Sequence, residues 1–124
     1  MLDARILLVD DDDDVRTSIR DWLQAMGATV AAAPGSSEAL ELVASAEVPF
    51  DLAVLDVALA GEDSGITLAE RLNGDRSVDR FILISGYVEV NTANLAIPEE
   101  HVAFLGKPLS VTQLEAVAKE LLGG

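Results

Sequence analysis

No cysteine occurs among the 124 residues. Disulfides and thiolate metal sites are therefore excluded. Basic residues are scarce: 8 Lys and Arg stand against 22 Asp and Glu, a formal net charge of −14. A chain this acidic does not bind nucleic acid by counterion release; it suits cations or a basic partner. No apolar run approaches the roughly 18 residues of a membrane span. The N-terminus, MLDARILL, carries an acid and lacks the basic-then-apolar layout of a signal peptide. The expectation is a cytoplasmic protein with neither nucleic acid nor membrane as partner. Histidine occurs once, at His101, where it reads as a structural residue opening a strand. G-x-G-x-x-G and G-x-x-x-x-G-K are both missing, so neither a Rossmann dinucleotide site nor a P-loop is present. Internal repeats and linkers are also lacking.

What remains is a globular composition, 50% apolar and 24% charged, in a length that suits one domain over residues 1–124 with a substantial core. Short apolar runs alternate with helical patterns. RILLV (5–9) predicts a buried strand. Val15, Ile19, Trp22, Leu23 and Met26 then recur at helical spacing, with Gly27 as the stop. ATVAAA (28–33) is a second, Ala-rich strand, and SSEALELVASA (36–46) a helix with Ser36 or Ser37 as its N-cap. DLAVLD (51–56), RFILIS (80–85) and HVAFLG (101–106) predict three more strands. GITLAERLNG (65–74) is a short helix, and SVTQLEAVAKELLGG (110–124) a helix with a Ser cap and a Gly end. The stretch 86–100 has β-branched residues, two Asn and Pro98 where a helix is required, so that helix should be short or irregular. Strands alternating with helices give an α/β, doubly wound, five-stranded parallel sheet. The near-continuous apolar character of the first, third and fourth strands agrees, because parallel strands are buried on both faces.

In such a sheet, functional groups collect beyond the carboxyl ends of the strands. Asp10 and Asp11 follow the first strand, Asp56 ends the third, Ser85 ends the fourth and Lys107 follows the fifth. Three carboxylates, a hydroxyl and an ammonium in one crevice suit a hard divalent cation plus a phosphoryl group. Taken alone, the aspartate run in ILLVDDDDDVRT reads as a solvated acidic loop; the other three strand ends argue against that reading. Asp14 is the expected cap of the first helix, with its charge favourable in the first turn, and Asp12 and Asp13 are expected in solvent. Asp10, Asp12 and Asp14 imitate the start of a calcium loop. That loop fails at Val15, where Gly is required, and at Asp21, where Glu is required.

The segments ILLVDDDDDVR, DLAVLD, ILISG and FLGKP, in this order and spacing over the whole chain, resemble the receiver domain of two-component response regulators. SGY and GKP look more like receivers of hybrid kinases and stand-alone regulators than those of DNA-binding regulators. The resemblance implies a flavodoxin-like strand order of 2-1-3-4-5. It implies that Asp56 accepts a phosphoryl group from a phosphohistidine on a histidine kinase or histidine phosphotransfer protein, forming an acyl phosphate. It further implies that Asp10, Asp11, Asp56 and the main-chain carbonyl of Ala58 hold Mg²⁺ (or Mn²⁺), Asp11 directly and Asp10 through water. Lys107 would pair with the phosphoryl oxygens, aimed by a cis peptide to Pro108. Ser85 would donate its hydroxyl to a phosphoryl oxygen, Phe104 would be the coupled switch ring, and Gly86 would leave room beside the phosphate. Phosphorylation would bias an existing equilibrium of the 86–100 segment, the fifth strand and the last helix, read by a downstream protein partner. Such a domain is a signalling module rather than an enzyme; it acts only on its own phosphorylation and dephosphorylation.

The stretch after Asp56 departs from the family pattern: VALAGEDSG has Ala60 in place of a proline and one added residue before Gly65. Ala58 and Tyr87 occupy the positions that tune acyl-phosphate hydrolysis. Ala58 cannot orient a water and Tyr87 shields the phosphate, which implies a long-lived phosphoryl state. Two alternatives stay open. A haloacid-dehalogenase-like phosphatase needs an acid/base Asp where Ala58 stands. A pseudo-receiver would bind partners without phosphorylation, a reading that the altered loop allows and the full residue set opposes.

Overall fold

A computed structural model describes residues 2–58, 65–86 and 95–123. Five strands are present: β1 (Arg5–Val9), β2 (Thr29–Ala33), β3 (Leu52–Asp56), β4 (Phe81–Ser85) and β5 (Val102–Gly106). Among the described residues four α-helices accompany them: α1 (Asp13–Ala25), α2 (Ser36–Ser45), α3 (Gly65–Gly74) and α4 (Val111–Leu121). All strand pairings are parallel, in the order β2-β1-β3-β4-β5. This is the flavodoxin-like architecture the sequence implied, with strand limits agreeing to within one residue.

Alternation along the strands sorts the core into two layers. Ile6, Leu8, Leu52, Val54, Ile82 and Ile84 point to the face covered by α1 and α4, where Ile19, Leu23, Leu114 and Ala118 meet them. Leu7, Val9, Ala53, Leu55, Phe81 and Leu83 point to the other face, against Ala39 of α2 and Leu68, Ala69 and Leu72 of α3. β3 is buried throughout, with neighbours on both sides. Its start is fixed to β1 by reciprocal bonds: the Arg5 amide donates to the Asp51 carboxylate, and the Asp51 amide donates to the Arg5 carbonyl.

Capping sets where the helices begin. Asp12, not Asp14, is the N-cap of α1: its carboxylate accepts the amides of Asp14 and Val15 at 3.0 and 3.1 Å. A cap must lie one residue before the first helical residue with extended backbone, and here the helix begins at Asp13, two residues earlier than an Asp14 cap allows. Asp13 and Asp14 lie in the first turn, where negative charge complements the dipole. For α2 the N-cap is Gly35 and makes no side-chain bond, so neither Ser36 nor Ser37 caps it; both lie inside the helix. Ser110 caps α4 through the Gln113 amide, as the sequence indicates. Gly27 and Gly123, both at positive φ, terminate α1 and α4.

The segment before β5 is partly described. The expected short or irregular helix falls largely on residues 87–94, which lie outside the described residues. Residues 95–98 are not helical, and Glu99–His101 form one 3₁₀ turn, so His101 precedes β5 instead of opening it. The reason is visible in α3. Glu70 accepts the Ala96 amide at 2.9 Å and the Asn73 side-chain amide donates to the Ala96 carbonyl at 3.2 Å. With Ala96 satisfied by α3 and Ile97 buried in the core, this stretch gains nothing from helical bonding.

α3 starts against the end of β3 at a close backbone approach. The Gly65 amide donates to the Val57 carbonyl at 3.1 Å, and a Cβ on residue 65 would lie 2.1 Å from the Asp56 carbonyl oxygen. Only glycine fits there. Gly65→Ala should therefore lower stability by about 2 kcal/mol, within the overpacking range, measured by urea unfolding. In the same assay Asp12→Ala should cost about 1 kcal/mol as a lost cap, and Asp14→Ala about 0.3 kcal/mol as a lost charge–dipole interaction.

Candidate functional site

The parallel register brings the polar strand ends together. β1 and β3 are neighbours, with Val9 opposite Leu55, so Asp10 and Asp56 emerge side by side. β4 follows with Ile84 opposite Asp56, and β5 with Gly106 opposite Ser85. The Lys107 amide donates to the Ser85 carbonyl at 3.0 Å, carrying the β4–β5 ladder one residue beyond the strands.

Asp10 and Asp56 are the buried charged residues among those described, 1% and 3% exposed. One Asp56 oxygen, Oδ1, accepts the Ala58 amide at 2.9 Å, and the other, Oδ2, accepts the Lys107 ammonium at 3.0 Å. The Lys107–Pro108 peptide is cis. Asp10 Oδ1 accepts the Asp12 amide at 2.9 Å, while its Oδ2 is buried and has no hydrogen-bond partner. Asp11 is exposed beside it. Asp10, Asp11 and Asp56 each offer an oxygen, and these oxygens lie within 4.8 Å of one another.

The electrostatics follow from this crowding. Burial raises the Asp10 pKa above the ordinary carboxylate value; the Asp12 amide opposes the rise and the Asp56 charge adds to it. Burial pushes the Lys107 pKa down, but its hydrogen bond and charge interaction with Asp56, with Asp10 and Asp11 behind, outweigh burial and raise it. The lone buried oxygen of Asp10 and three clustered hard oxygen donors fit a divalent cation that takes oxygen ligands.

The structure thus brings together Asp10, Asp11, Asp56 and Lys107, with Ser85 and Ala58 at the rim. A Cβ on Gly86 would meet no atom within 4 Å, so open space adjoins the crevice there. Phe104 lies opposite Leu83 and is half-buried against the α2–α3 layer. Tyr87 and Ala60 lie outside the described residues. Three contributors escaped the sequence reading. Asp12 caps α1, Gly65 wedges against Asp56, and Arg16 donates Nη1 to the Asp10 carbonyl at 2.8 Å while pairing with Asp13. The Asp13–Arg16 spacing, i to i+3 on a helix, was the available signal for Arg16.

The family profile described as the response regulator receiver domain matches residues 6–119. The sensor kinase CckA of Brucella abortus (strain 2308) is 37% identical over 119 residues, covering 96% of this chain and 12% of that protein. The alginate biosynthesis transcriptional regulatory protein AlgB of Pseudomonas aeruginosa is 36% identical over 119 residues, covering 95% of this chain and 26% of AlgB. The chain therefore spans about a quarter or less of the length of these curated relatives. Among solved structures, the response regulator protein TrrA of Thermotoga maritima, in complex with Mg(2+)-BeF, superposes with a TM-score of 0.79 at 26% identity, covering 95% of this chain and 98% of TrrA. No helix among the described residues is long and apolar enough to cross a membrane. A profile running from β1 into α4, with the strand order and clustered acids just described, settles the kinship: this chain belongs to the response regulator receiver domain family of two-component signalling.

Proposed function

We propose that this chain accepts a phosphoryl group on Asp56 from the phosphohistidine of a histidine kinase or histidine phosphotransfer protein. The observation that carries the reading is Asp56 itself: a buried carboxylate at a strand end, bonded to Lys107 at 3.0 Å and clustered with Asp10 and Asp11. A carboxylate oxygen of Asp56 forms a bond to phosphorus, the histidine nitrogen–phosphorus bond breaks, and the donor histidine recovers its electron pair. Lys107 holds the opposite oxygen of Asp56 and then pairs with the added phosphoryl charge. Ser85, at the end of the adjacent strand, supplies a hydroxyl for a second phosphoryl oxygen. Asp10, Asp11, Asp56 and the Ala58 carbonyl would hold Mg²⁺ or Mn²⁺, which when bound neutralises charge between donor and acceptor. TrrA's complex with Mg(2+)-BeF supports that assignment.

On this reading the chain is a signalling domain that catalyses only its own modification, in a cytoplasmic setting. Output passes through contacts with a downstream protein, a choice the net charge of −14 favours over nucleic acid. Phe104, half-buried on β5, is the proposed switch ring. Ala58 offers no side chain to activate water, which favours a long-lived acyl phosphate. Tyr87 and Gly86 are assigned to shielding and access.

Incubation with acetyl phosphate and Mg²⁺ should add the mass of one phosphoryl group to the wild type and none to Asp56→Asn. Lys107→Ala should be modified at least about tenfold more slowly, having lost a charge-assisted contact worth roughly 1.5–3 kcal/mol. No mass gain in the wild type would favour the pseudo-receiver, and steady turnover of a small phosphate ester would favour the phosphatase. A second measurement uses the raised pKa of Asp10. A carboxyl easier to protonate when folded is most favourable to the fold below its unfolded pKa, and its contribution is lost as pH rises through the folded value. Without divalent cation at pH 7, Asp10→Asn should therefore raise stability by about 1 kcal/mol, or roughly 4 °C in Tm. That gain should shrink as pH falls into the carboxylate range, and the variant should lose the stabilisation that Mg²⁺ gives the wild type.

A further inference from the structure

Asp10 is held at three points. Its amide donates to the Ala33 carbonyl at 3.2 Å, its Oδ1 accepts the Asp12 amide at 2.9 Å, and its carbonyl accepts Nη1 of Arg16 at 2.8 Å. Oδ2 is left for the crevice. Two of the three holds are main-chain groups; Arg16 supplies the remaining one with a side chain. The guanidinium reaches back from the first turn of α1, and its Nη2 pairs with Asp13. That side chain is only 19% exposed. Both prongs are spent on the turn that carries Asp10 and Asp11.

We propose that Arg16 is a positioning residue for the divalent cation: by fixing the Asp10 carbonyl it sets the aim of the Asp10 and Asp11 carboxylates. The inference rests on the magnesium reading above and adds a residue to it. Its sign separates it from plain electrostatics. A fixed positive charge beside a cation site repels the incoming ion, so removing Arg16 as a mere charge tightens binding. Removing it as a latch loosens the donors and weakens binding, in spite of the relieved repulsion. Lysine keeps the charge but not the planar, pre-organised fork, so it holds the Asp10 carbonyl less rigidly.

The test is calorimetric titration of Mg²⁺ into the wild type, Arg16→Gln, Arg16→Lys, Asp13→Asn and Asp11→Asn, with the metal-free Tm of each. Arg16→Gln should bind at least about tenfold more weakly, the lower end for partners that orient metal ligands. Arg16→Lys should fall between it and the wild type. Asp13→Asn, which leaves the Asp10 carbonyl bond in place, should keep wild-type affinity. Unchanged or tighter binding by Arg16→Gln overturns the proposal, as does Asp13→Asn reproducing the full loss. If Arg16→Gln is unfolded without metal, the lysine variant decides: wild-type affinity overturns the proposal and reduced affinity supports it. Absence of any Mg²⁺ binding by the wild type, matched by Asp11→Asn, would instead sink the magnesium reading and take this inference with it.

Discussion

Three carboxylates at the mouth of one parallel sheet repel one another, and most of the local architecture answers that repulsion. At the 4.8 Å limit that contains their oxygens, two ionised groups oppose each other by on the order of 3 kcal/mol at an effective dielectric of about 20, less where Asp11 meets solvent. Part of the answer is Lys107, bonded to Asp56. β5 lies two strands from β3, a gap of roughly 10 Å at ordinary strand spacing. A cation at the end of β5 must therefore reach across β4, which only a long side chain does. The rest of the answer lies in backbone dipoles: the Asp12 amide on Asp10, the Ala58 amide on Asp56, and the N-terminus of α1 behind the whole run.

The two shifted groups act on the fold in opposite directions. Lys107 has a raised pKa, so it contributes stability that is fully present below its unfolded pKa and is lost only in strongly alkaline solution. Asp10 has a raised pKa as a carboxyl, so as pH rises above its unfolded pKa it weighs against folding. Replacing Asp10 with a hydrophobe would relieve the burial penalty. A buried acid with one unpartnered oxygen persists at a cost, and ligand binding is the chemistry in which such a cost is used.

The fold was legible because its signals are long and redundant. Apolar runs such as RILLV and DLAVLD admit few readings when helices separate them, and parallel pairing then orders the strand ends. The polar residues at those ends were legible for the same reason: a charge directly after a buried strand has few places to go. What was not legible is finer than periodicity. Among five consecutive aspartates, the choice of Asp12 over Asp14 as cap depends on backbone angles at a single residue. The role of Gly65 depends on how closely α3 approaches Asp56, which no local pattern encodes. His101 reads as a strand residue until Glu70 and Asn73 are seen to hold Ala96 from another element.

On the proposed chemistry, these same constraints determine where a phosphoryl group on Asp56 can be felt. β3 cannot yield: it is buried on both faces, the Val57 amide is bonded to Ile84, and Gly65 is wedged against the Asp56 carbonyl. β1 cannot yield either, since β2 and β3 flank it and Arg16 ties down the turn beyond it. The partly exposed side of the crevice is formed by Ser85, Gly86 and Lys107 at the ends of β4 and β5. β5 is an edge strand, and its Val102, Ala103 and Phe104 are half-buried where the central strands are sealed. On that proposal, new charge on a rigid acceptor is relieved at the softest neighbour, and among the described residues that neighbour is the β5 edge.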